Sequence, residues 1–291
     1  FGAIAAFGIG NGTQIHSMAD VLNNDFQVPK MLTGAVVAVL VGFVVLGGVT
    51  RIGSLAGKLV PAMVVLYIGG AITVISINAS AVPAAFELII SSAFNPVAAA
   101  GGFTGAAVAA AIRFGVARGV FSNESGLGSA AIAHGAARTN SPVRQGHIAM
   151  LGTFIDTIVI CTLTALCIIT SEAWMSGENG APLTALAFGS SFSGGNYVVT
   201  IALAVFAFTT IIGWSYYGER CWQYLLGERS VIVYRVFWVL AVFLFSSVKI
   251  DFIWTLSDTL NGLMAVPNLI GLIILGPLVF RLTREYKQES T

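Results

Sequence analysis

Charge is what this sequence most lacks. Asp, Glu, Lys and Arg make up 9% of its 291 residues, where a water-soluble domain carries about a quarter. With 56% hydrophobic residues beside them, that scarcity excludes a soluble fold and points to a chain surrounded by lipid bilayer. The formal net charge is +1, so nothing resembles a nucleic-acid-binding surface, and no nucleic-acid partner is expected. Cysteine and histidine are also sparse. Cys161, Cys167 and Cys221 all lie in apolar stretches, where a thiol packs as a small hydrophobe and not as half of a disulfide. His16, His134 and His147 have no metal-ligand spacing, and neither Gly-x-Ser-x-Gly nor His-Glu-x-x-His occurs. An enzyme, a cofactor or a metal beyond a coupling ion is therefore not expected. The first apolar run is preceded by no initiator methionine, basic leader or cleavage site. The chain thus reads as a fragment whose N-terminal part is missing.

Glycine and long apolar runs are plentiful. The 33 glycines suit helices in lipid, which have no hydrophobic drive to associate and approach one another at small residues. A bilayer core of about 30 Å needs roughly 20 apolar helical residues. Eight such segments are expected, at about 1–22, 31–50, 59–78, 84–113 (broken), 147–171, 196–219, 231–248 and 253–280. Lys and Arg in short loops stay on the cytoplasmic side. Placing the tail 281–291, with Arg281, Arg284 and Lys287, inside and alternating back puts twelve of the 14 basic residues inside, Arg113 and Arg118 among them. Lys30 and Lys249 remain outside.

Five places hold polar chemistry. Asn95-Pro96 followed by Gly101-Gly102 predicts a broken helix near 95–104. An unwound turn in hydrocarbon persists only where protein, water or a ligand satisfies its backbone groups. This one is either a binding site or a tightly packed kink. Gln14, in the cluster Asn11 to Asp20, either faces a central cavity or holds neighbouring helices by hydrogen bonds. Thr209 and Thr210, on one helix with Trp214 and Glu219, either offer hydroxyl oxygens to a hard cation or bond back to their own helix. In the polar run Arg118 to Ser129, Ser122 is a candidate N-cap. Alternatively Phe121, Ser122, Asn123 and Glu124, expected just inside the cytoplasmic boundary, form an inner gate with Glu124 paired to an arginine. Asp156, about two turns into its span, is a functional candidate by its depth, with a buried structural ion pair as the alternative.

The run Arg118 to Ser129, Ala131-Ile132-Ala133-His134, Gly152-x-Phe154-Ile155-Asp156-Thr157, Gly213 to Glu219 and Lys58-Leu59-Val60-Pro61 together resemble the alanine or glycine:cation symporter family. The resemblance covers essentially the whole chain. That family belongs to the amino acid, polyamine and organocation superfamily, whose members resemble the bacterial leucine transporter. The implied fold is all-α, a polytopic membrane helix bundle built as a five-plus-five inverted repeat. Helices three to five would then lie in 1–78 and the second repeat in 84–280, with the first two core helices absent. The implied function is symport of a small neutral amino acid with sodium across the inner (plasma) membrane. By the resemblance Gln14, Gly101, Gly102, Phe103 and Trp214 contact substrate, and Thr209 and Thr210 supply a sodium site. Phe121 to Glu124 is the competing place for the break, with Asp156 as a coupling group. A proton-driven permease is the alternative, and a single broken helix among unlike segments argues against a channel.

Overall fold

The computed structural model describes residues 1–94 and 104–289. Over these the chain is helical with no strand. Helix α1 covers residues 2–26, with a π-helical stretch at Phe7–Gly12. It is followed by α2 (Lys30–Val45), α3 (Gly48–Ile77) and α4 (Val82–Phe94). Helices α5 (Thr104–Asn123) and α6 (Ser129–Gly135) are separated by a short turn. Helix α7 (Pro142–Thr170) contains a second π-helical stretch at Ile155–Ile160. The remainder is α8 (Gly180–Ser191), α9 (Gly195–Leu226), α10 (Val231–Phe245) and α11 (Ile250–Glu289). Helices α3, α7, α9 and α11 are each long and apolar enough to cross a membrane.

Helix α9 is the hub, packing on α1, α3 and α8, while α10 lies along α2 and α11 against α1. Backbones come close where side chains are missing. A Cβ at Gly10 would overlap the Trp214 side chain, and one at Gly218 would overlap the Tyr234 ring hydroxyl. That hydroxyl donates to the Ala3 carbonyl at 3.2 Å, so α1, α9 and α10 meet there in one contact. Phe7 fills the space beside it, 5.2 Å from Tyr234 and 5.1 Å from Trp238 between ring centroids. The effect is to fix Trp214 against the π-helical stretch of α1.

The ends of the bundle carry different charge. The α9–α10 turn, with Arg229, and the end of α11, with Arg284, lie on one side, because α10 and α11 are successive antiparallel helices. Helix α7 starts there too, with His147 6.2 Å from the Tyr286 ring. Expected residues 281–291 continue α11 as helix to Glu289. Arg118 does not join them. Its guanidinium pairs with Asp258 at 2.6 Å, and Asp258 sits about two turns from the other end of α11. Helix α5 therefore runs into the bundle from that opposite end, which moves Arg113 and Arg118, grouped with Asp251 and Asp258, away from the basic side. The charge count failed here because an arginine held by a carboxylate within the bundle is not a loop residue.

Candidate functional site

The described structure interrupts one helix at mid-depth. Between α5 and α6, Glu124, Gly126 and Gly128 all take positive φ, at 56°, 83° and 84°. L side chains rarely adopt that region, so two of the three positions are glycine. Ser122, expected as a possible N-cap, instead stands in the last turn of α5 and donates to Asp156 at 2.7 Å. Asn123 donates to the Thr157 hydroxyl at 3.1 Å. Asp156 lies midway along α7, inside its π-helical stretch, which fixes the depth of the break. The break expected near 95–104, with Gly101, Gly102 and Phe103, lies outside the described residues.

A cavity of about 630 Å³ opens at this turn, within the usual range of small-molecule sites, roughly 300–1,000 Å³. It brings together Gln14 of α1, Phe121 to Glu124 of the break, Asp156 of α7, and Thr210 and Trp214 of α9. Thr209 is not on its wall. That residue is buried and donates to the Phe206 carbonyl at 2.9 Å, which leaves its oxygen lone pairs unused. Gln14 makes only a long contact to the Ile9 carbonyl, at 3.4 Å. Glu124 lies among Ser129, Trp214 and Tyr217. Among the described residues it has no arginine partner, and Asp156 has no basic partner.

The cavity is asymmetric. It continues past Ala149, Asn268 and Leu272 toward the basic end. Toward the other end Phe121 packs on Trp254 at 5.2 Å, and Arg118 stacks 4.0 Å over the same indole while holding Asp258. Asn268, Trp254 and Asp258 escaped the reading of the sequence. The available signal was an amide and an acid within the apolar run of α11, which in a span need a partner or a cavity.

The sequence profile described as the sodium:alanine symporter family matches residues 1–291. An uncharacterized transporter of Haemophilus influenzae is 47% identical over 98% of this chain and 63% of its own length. The sodium/alanine symporter AgcS of Methanococcus maripaludis is 44% identical over 99% of this chain and 64% of its own. A sodium/proton-dependent alanine carrier protein of a Bacillus species is 32% identical over 96% and 66%. The chain spans about two thirds of the length of these relatives.

Proposed function

Because the chain belongs to the sodium:alanine symporter family, we propose that it performs secondary active transport. In this reading it couples sodium entry to uptake of a small neutral amino acid, alanine or glycine, by alternating access across the cell's inner (plasma) membrane. The observation that carries this is the cavity at the helix break, where the Asp156 carboxylate of α7, the Gln14 amide of α1 and the Thr210 hydroxyl and Trp214 indole of α9 converge at mid-depth. Transporters place substrate at such broken helices. Residues 1–78 then correspond to helices three to five of the first repeat and residues 84–280 to the second repeat. The Arg118–Asp258 and Phe121–Trp254 contacts close the outer end, and the cavity's course toward the basic end is the path of release inward. Gln14 and Trp214 border the substrate. In the same reading Gly101, Gly102 and Phe103, outside the described residues, also contact the substrate.

Thr209 and Thr210 hold sodium in this reading, their hydroxyl oxygens complementing freed carbonyls. Valine at both positions keeps the shape and removes two ligands. We expect the sodium concentration for half-maximal alanine uptake to rise at least several-fold in that double variant. Linkage then demands weaker alanine affinity at low sodium, recovered at high sodium. A folded variant with unchanged sodium dependence would show that both hydroxyls merely bond back to their helix.

A proton-driven permease is the second reading, favoured by the two carboxylates on the cavity wall. Uptake driven by a pH gradient in the absence of sodium would establish it.

A further inference from the structure

Between Asp25 and Glu87 the sequence holds no acid, yet Arg51 and Lys58 lie there. Both line a surface cleft of about 600 Å³ at the α2–α3 turn, together with Gly47, Thr50 and Ser54. Among the described residues no carboxylate lines this cleft, and neither cation has an ion-pair partner. The turn lies at the basic end of the bundle. A Cβ at Gly34, near the start of α2, would overlap Ser246 at the end of α10, and one at Gly42 would touch Val239 in the middle of α10. The two helices are therefore antiparallel, and α2 ends on the side where Arg229 precedes α10. Residues 59–77 of α3 carry no charge and at 1.5 Å per residue span about 28 Å, nearly the whole hydrocarbon core. The first turns of α3, Arg51 to Lys58, are thus left at the depth of the lipid headgroups.

The cleft offers donors and positive charge. The Arg51 Nη1 donates to the Phe43 carbonyl at 2.7 Å, at the negative end of α2, and Gly47 makes room for it, since a Cβ there would overlap the guanidinium. That bond fixes the side chain and uses one of its five N–H groups. Thr50, Ser54 and Lys58 follow one another at four-residue spacing, on one face of α3 beside Arg51. Among the described residues the two hydroxyls bond nothing, whereas Thr73, farther along α3, bonds back to the Gly69 carbonyl at 2.8 Å. The positive end of the 30-residue α3 points into the same place. A guanidinium fork, an ammonium and two hydroxyls suit an anion with several oxygens, and phosphate meets that description. The surface beside the cleft selects a lipid as its source. Phe43, Leu40 and Val36, all exposed, rise from Gly47 at helical spacing along α2, a track for an acyl chain. The positive-inside rule puts this end in the cytoplasm, where the membrane leaflet holds anionic lipid.

We propose that the cleft at the α2–α3 turn binds the phosphodiester of an anionic membrane lipid, with Arg51 and Lys58 against its oxygens and Thr50 and Ser54 donating to them. The site is separate from the central cavity and does not depend on what that cavity carries.

The test is native mass spectrometry of the purified protein in detergent, titrated with phosphatidylglycerol and, separately, with phosphatidylcholine. The first phosphatidylglycerol is expected to bind at least tenfold more tightly than phosphatidylcholine, and Arg51→Gln with Lys58→Gln to abolish that preference while phosphatidylcholine binds as before. Lys58→Gln alone breaks no contact within the protein; it is expected to weaken phosphatidylglycerol several-fold, and it decides the matter if the double variant is not monodisperse. Arg229→Gln with Arg284→Gln, at the same end of the bundle, is expected to leave the preference intact. Equal affinity for the two lipids in the wild type, or an unchanged preference in Lys58→Gln, overturns the proposal. So does an equal loss in the Arg229 and Arg284 variant, which would mark diffuse attraction to a basic surface. Displacement of phosphatidylglycerol by inorganic phosphate at comparable concentration overturns it as well, since the bound anion is then a soluble one.

Discussion

Replacing Glu219 by alanine is expected to leave little folded protein. Its side chain, 5% exposed, receives Arg235 from α10 through Nε at 2.7 Å and Nη2 at 3.0 Å, and Arg220 at 3.2 Å. Arg235 is itself only 19% exposed, so the alanine variant strands a largely buried guanidinium between α9 and α10. Removing one partner of a buried pair costs about 3–5 kcal/mol, a large part of the 5–15 kcal/mol typical of a folded domain. Arg220 is half in solvent and contributes little. Loss of the pair as a whole is less damaging than loss of one member, because no orphan charge remains. Thermal unfolding in detergent should therefore rank wild type first, then Glu219→Ala with Arg235→Met, with Glu219→Ala alone far below both. A Glu219→Ala protein that melts like the wild type would show that the pair does not hold α9 to α10.

Reversing Arg118 to aspartate is expected to cut alanine uptake about tenfold, and a further Asp258→Arg change to restore most of it. The pair is a third exposed on each side, at 35% and 32%, so solvent screens it and only roughly 1–2 kcal/mol is assigned to it together with the stacking on Trp254. Replacing attraction by repulsion between two aspartates doubles the swing, and about 1.4 kcal/mol already shifts a conformational equilibrium tenfold. The closed outer end then becomes rare, and the alternation stalls. A swapped pair that transports no better than Arg118→Asp would remove this contact from the mechanism.

Much of the bundle was legible because hydrocarbon demands long apolar helices, and their lengths survive in the sequence as runs between charges. The convergence of Gln14, Thr210, Trp214, Asp156 and residues 121–124 on one cavity follows from polar side chains being expensive in such helices unless they meet. Two features were harder. Asn95-Pro96 and Gly101-Gly102 are strong breakers but lie outside the described residues, whereas the turn at Asn123-Glu124-Ser125-Gly126, which borders the cavity, carries a weaker local signal. Its signal was Gly126 and Gly128 two residues apart, while Glu124, also at positive φ, is a residue type that seldom marks such a turn. The orientation of α5 was misread because positive charge was counted without looking for Asp258, its acid partner some 140 residues away. Pairing over that distance belongs to tertiary structure and leaves no local pattern.

The central claim is that sodium energises movement of a small neutral amino acid through this cavity. Uptake of radiolabelled alanine into proteoliposomes holding the purified protein tests it most directly, with an inward sodium gradient imposed and then replaced by potassium. The account predicts saturable accumulation above equilibrium with sodium, competed by unlabelled alanine or glycine and absent with potassium. Equal uptake in both, or a flux that rises with alanine without saturating, would contradict it.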